Sequence, residues 1–65
     1  MNNKEVYVLL ETTPDYISTL VYKERDEAIL ALKEVAKEND MEYHEGDSEA
    51  DGGEIYAEVR TETLN

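Results

Sequence analysis

Sixty-five residues with 17 Asp plus Glu against 6 Lys plus Arg carry a net charge of −11, with no Cys and a single His. Such a chain builds one domain around one small core, lacks both a disulfide framework and a Cys/His cluster for structural zinc, and repels nucleic acid and anionic membrane surfaces. No run approaches the roughly 18 apolar residues of a membrane span, and Met1-Asn2-Asn3-Lys4-Glu5 is not a basic start leading into an apolar stretch, so a soluble, unprocessed protein of the reducing cytoplasm is expected.

Glu5 to Thr12 alternates with period two, placing Val6, Val8 and Leu10 on one side and Tyr7, Leu9 and Glu11 on the other; this predicts a strand. Thr13-Pro14-Asp15 supplies turn chemistry, because Pro fixes φ and Asp can bond its own backbone. Tyr16 to Tyr22 reads as a second strand, and the short connection demands an antiparallel hairpin. From Glu24 to Asn39 the period becomes helical, with Ala28, Ile29, Leu32, Val35 and Ala36 on one stripe and Leu30 at its edge. Glu24, Asp26 and Glu27 lie at the end where the helix macrodipole favours anions, and Lys33 and Lys37 lie further along. An amphipathic helix of about 14 residues follows, stopped near Asn39-Asp40.

Met41 to Glu45 is expected to form a short strand with Met41 and Tyr43 inward. Gly46 through Gly53, rich in turn formers and carboxylates, reads as an exposed mobile loop. Glu54 to Thr63 returns to clean alternation, with Ile55, Ala57 and Val59 opposite Tyr56, Glu58, Arg60 and Glu62; it predicts the last strand, followed by a short tail. The fold class is therefore α+β, a single domain over residues 1–65: an antiparallel sheet of three or four strands with one helix on one face, in the order ββαβ, or ββαββ if Met41 to Glu45 pairs with the last strand. The uncovered sheet face is expected to show Tyr7, Tyr16, Tyr22 or Tyr56 in some combination, and parity alone does not choose among them. A Tyr-bearing face or an exposed strand edge would suit a small protein-interaction or regulatory domain, and such edges leave a homodimer open.

Catalysis has little support. Ser18 and Ser48 are the only serines, His44 has no identifiable hydroxyl partner, and 65 residues leave little room for a pocket that holds a triad. No enzymatic activity and no cofactor are expected. Asp47-Ser48-Glu49-Ala50-Asp51-Gly52, with Glu58 six residues on, resembles the EF-hand calcium loop, whose oxygen ligands stand at positions 1, 3, 5 and 12 around a Gly at 6. It departs from that pattern in the longer Glu49 at position 3, in Glu54 at the usually aliphatic eighth position, and in the strand-like segment 55–58.

The strongest feature is charge. Glu38, Asp40, Glu42, Glu45, Asp47, Glu49, Asp51, Glu54 and Glu58 make nine carboxylates between residues 38 and 59 with no Lys or Arg among them. Several recur at every second residue, and in an extended chain rising about 3.3 Å per residue such side chains stand roughly 6–7 Å apart on one side. An array of this density can occupy the Lys and Arg that grip nucleic acid. Small size, strong acidity and a helix-on-sheet build are similar to small phage-encoded inhibitors that mimic nucleic acid, the anti-CRISPR and anti-restriction proteins. That resemblance implies a viral protein, acting in the host cytoplasm, that blocks the basic channel of a nucleic-acid-binding enzyme; the nine acids would contact the partner.

Overall fold

The computed structural model describes residues 4–64, which span 42 × 26 × 13 Å. Its elements are β1 (Lys4–Thr12), β2 (Ile17–Tyr22), α1 (Arg25–Glu38), β3 (Glu49–Asp51) and β4 (Tyr56–Leu64), in the order ββαββ. The four strands form one antiparallel sheet ordered β2-β1-β4-β3. The α+β class holds. The long ladder is β1 against β4, from Lys4↔Leu64 to Thr12↔Tyr56.

The β1–β2 hairpin closes on Thr13 N–H donating to Tyr16 C=O at 2.9 Å. Within the turn it is the Thr13 hydroxyl, not Asp15, that serves the backbone: Thr13 Oγ1 accepts from the N–H groups of Asp15 and Tyr16 at 3.1 and 3.0 Å. The helix has the expected 14 residues and puts Ala28, Leu32 and Ala36 inward. It ends in a Schellman arrangement, with Asp40 in the left-handed region at φ 54° and Met41 N–H donating to Ala36 C=O at 2.8 Å. Asn39 reinforces that end through its side-chain amide, which donates to Val35 C=O at 2.9 Å.

Two segments differ from the sequence expectation. Met41 to Glu45 is not a strand; it makes one isolated bridge, Glu42↔Asp51, although Met41 is buried and Tyr43 half-buried as expected. The edge strand falls instead inside the segment read as a loop, at Glu49–Asp51, because Gly52 N–H donates to Ile55 C=O at 2.7 Å and turns the chain back in a tight hairpin. Gly53 takes φ 85° in that turn, a backbone region that Gly enters without a Cβ penalty. The last strand runs on through Leu64, one residue into the tail expected after Thr63; Asn65 lies outside the described residues.

The core is small: Leu9, Ala28, Leu32, Ala36, Met41, Ala50, Ala57 and Val59. Four alanines let helix and sheet approach closely, and Leu32 is the one large side chain buried completely. Register-paired residues share a face, so the buried Leu9 assigns Tyr7, Leu9, Glu11, Ser18, Leu20, Tyr22, Ala50, Ala57, Val59 and Thr61 to the helix side. No charged or polar residue is buried among those described.

Candidate functional site

The same parity defines the open face of the sheet. Its β1–β2 half carries Val6, Val8, Leu10, Ile17 and Val21, with Thr12 and Thr19. Its β3–β4 half carries Glu49, Asp51, Tyr56, Glu58, Arg60 and Glu62. Tyr56 alone of the strand tyrosines belongs to this open face; Tyr7 and Tyr22 pair with each other on the helix side and pack against the core. Tyr16 precedes β2 and reaches Glu11 Oε2, also on the helix side, at 3.5 Å. The uncovered face is thus half aliphatic and half acidic, not a tyrosine platform.

On the acidic half, four carboxylates form a small lattice. Glu49 stands opposite Glu58, and Glu42 stands opposite Asp51 through the isolated bridge. Cross-strand neighbours sit about 4.5–5.5 Å apart at Cβ, and Glu49 and Asp51 are roughly 6–7 Å apart along their strand. Like charges placed this way repel. The lattice is held at one point by Tyr56, whose hydroxyl donates to Glu49 Oε2 at 2.8 Å. That hydrogen bond, followed by partial burial and by the fields of Glu58, Glu49 and Asp51, pushes the Tyr56 phenol up to about 12. Asp51 Oδ1 accepts from Gly53 N–H at 2.9 Å and so stitches the hairpin turn to the same corner.

The other acids line the approaches to β3. Glu38 and Asp40 stand at the C-terminal end of α1, Glu54 is in the β3–β4 turn, and Asp47 lies in the turn leading into β3, which Asp47 N–H closes on His44 C=O at 2.9 Å. Glu45 is turned away toward the helix, where it accepts from Lys33 Nζ. That bond raises the Lys33 ammonium above its ordinary value, partly offset by desolvation. The every-second-residue line expected from Glu45 through Asp51 is therefore broken at the 44–47 turn, and only Glu49 and Asp51 keep it. Glu42 has His44 at 3.7 Å and Glu58 has Arg60 at 4.0 Å; exposed pairs of this kind contribute little. Among the described residues, Glu38, Asp40, Asp47, Glu49, Asp51 and Glu54 have no cation within ion-pair distance.

Of the nine acids, Glu42, Glu49, Asp51 and Glu58 share the open face beside β3, and the others stand in the helix end and the turns that flank β3 along the chain. Ten of the 17 acids and one of the six bases lie from residue 38 onward, a net −9, while the first 37 residues carry −2. Sequence reasoning missed the Tyr56–Glu49 bond, which depends on β3 and its register. It also left Glu62 out of the candidate set, although Glu62 shares the face of Glu58 and Tyr56.

The segment matching the EF-hand spacing is an extended hairpin: Ala50 points into the core, Glu49 is bonded to Tyr56, and the oxygens of positions 1, 3, 5 and 12 do not curl around one point. Among the described residues no group of three or more His, Cys, Asp or Glu is arranged to hold a metal ion, and no helix is long and apolar enough to cross a membrane. Surface hollows are shallow; one, lined by Arg25, Ile29, Lys33 and Glu45, has a volume of about 310 Å³. Compared with protein-family models, with curated proteins and with solved structures, the chain finds no match.

Proposed function

We propose that this chain is an acidic binding protein that occupies a Lys/Arg-rich surface of a nucleic-acid-binding enzyme and thereby competes with its nucleic acid. The observation that carries the reading is the segregation of charge. A net −9 is collected in residues 38–65, which hold β3, β4 and the turns before them, with most of the carboxylates lacking a cationic neighbour, on a scaffold that spends no buried position on them. A surface held only to keep the protein soluble has no need of an opposed carboxylate lattice, which costs stability through self-repulsion. Such a lattice gains when a basic surface neutralises it. The partner is a protein bearing a groove of Lys and Arg, and the contacts fall to Glu42, Glu49, Asp51 and Glu58 on the open face with Glu38, Asp40, Glu45, Asp47 and Glu54 around them.

The test is capture from a lysate on immobilised protein, with elution by rising salt and, separately, by duplex DNA. The reading expects a nucleic-acid-binding protein that DNA displaces, that salt releases steeply, and that the triple variant Asp47→Asn/Glu49→Gln/Asp51→Asn retains poorly. A tight complex indifferent to both salt and neutralisation would remove the acidic surface from the account.

A further inference from the structure

The two edges of the sheet are defended very differently. The β3 edge is three residues long and carries Glu49 and Asp51, both standard protections against unwanted pairing. The β2 edge is six residues of Ile-Ser-Thr-Leu-Val-Tyr, with no charge, Pro or Gly inside it. Its apolar side chains are exposed on both faces: Ile17 at 71% and Val21 at 64% on the open side, Leu20 at 53% on the helix side. A partner stacked on one face would leave the other face of this strand uncovered. Only a strand laid alongside β2 reaches both.

The backbone is ready for that strand. Antiparallel alternation, counted from the Thr13–Tyr16 hydrogen bond, turns the N–H and C=O groups of Ser18, Leu20 and Tyr22 toward β1 and those of Ile17, Thr19 and Val21 outward. We propose that β2 pairs antiparallel with β2 of a second copy of this chain, about a two-fold axis at Thr19, to give a continuous eight-stranded sheet.

Two observations select a second copy as the occupant. The outward row is self-complementary: about Thr19, Ile17 stands opposite Val21 of the second copy and Val21 opposite its Ile17, so the two most exposed apolar side chains of each edge bury one another, and an isologous contact of this kind closes at two. Charge is the second. Growth across β2 keeps the two −9 halves at opposite ends of the doubled sheet, whereas every arrangement through β3 or through the acidic half of the open face brings them together. The pairing uses none of the nine acids and stands whether or not they bind a basic partner.

Sedimentation equilibrium of the whole chain, with variants, tests this. The wild type is expected at twice the 7.5 kDa chain mass. Thr19→Pro, which removes an outward donor and no β1 bond, and Thr19→Lys, which sets two like charges across the axis, are both expected to sediment at the single-chain mass with unchanged far-UV circular dichroism. Val8→Thr/Leu10→Thr, altering the open face of the central strand, is expected to remain doubled. A wild type of single-chain mass at high micromolar concentration overturns the proposal. So does a dimer that survives Thr19→Lys, or one that dissolves with Val8→Thr/Leu10→Thr and not with Thr19→Lys, the signature of face-to-face stacking.

Discussion

Asp40 is the position where backbone conformation and charge can be set against function most sharply. It holds φ 54° at the residue following the helix cap, a place where Gly is the ordinary occupant. An L-residue in that region costs about 1–2 kcal/mol, less for Asp than for most, while Gly gives back about 0.5–1 kcal/mol through its freer unfolded chain. A carboxylate at the negative end of a helix adds about 0.5 kcal/mol of repulsion. Asp40→Asn, which removes the charge and keeps the side chain, should therefore raise stability by about 0.5 kcal/mol, and Asp40→Gly, which also relaxes the backbone, by about 1 kcal/mol. For a domain this small each 1 kcal/mol moves the melting midpoint by about 4–8 °C, well within the resolution of thermal circular dichroism. Both variants are also expected to bind a basic partner more weakly than the wild type, since each deletes one carboxylate of the rim. A Gly variant no more stable than the Asn variant would refute strain at this position and show that the left-handed backbone of Asp40 costs nothing.

Spectrophotometric titration should find one phenol ionising near pH 12, and Glu49→Gln should bring it down toward the ordinary value of about 10, since the bond to the Glu49 carboxylate is its main cause. Because the unfolded chain loses the Tyr56 proton near 10 and the folded chain near 12, this group leaves stability unchanged below pH 10 and erodes it as pH rises from 10 to 12; denaturant melts across that window should show a smaller loss in Glu49→Gln. Leu32→Ala opens a cavity under the helix at a cost of about 2–5 kcal/mol, comparable with the roughly 3–5 kcal/mol that so small a core supplies; amide dispersion in an NMR spectrum should collapse. Sodium chloride should raise the wild-type melting midpoint by screening the self-repulsion of a −11 chain, and should do so less for the Asp47→Asn/Glu49→Gln/Asp51→Asn variant.

The elements governed by periodicity were legible in the sequence. Alternation marks β1, β2 and β4, and the spacing of Ala28, Leu32 and Ala36 marks the buried stripe of α1. The hairpin at 49–57 was hidden because its signal, Gly52-Gly53 between Glu49-Ala50-Asp51 and Ile55-Tyr56-Ala57, sits in a run of carboxylates and turn formers that looks like a solvated loop. Only the small Ala50 marks β3 as facing a core. Which face the helix covers depends on register, and Tyr7 and Tyr22, opposite one another, went to the helix side because Leu9, two residues from Tyr7 on the same face of β1, is buried in the core. The acidic run was visible at once. Its division into a lattice, a turn and a helix end required the Glu42↔Asp51 bridge and the Lys33–Glu45 bond, neither of which spacing encodes.

One helix laid on one sheet, with four alanines between them, leaves the molecule only 13 Å through its shortest axis. At physiological salt the Debye length is about 8 Å, less than that thickness, so counterions screen the open-face carboxylates from anything approaching over the helix. A cation feels Glu42, Glu49, Asp51 and Glu58 together only when it comes in over the uncovered side of the sheet, which gives this charged corner a front and a back.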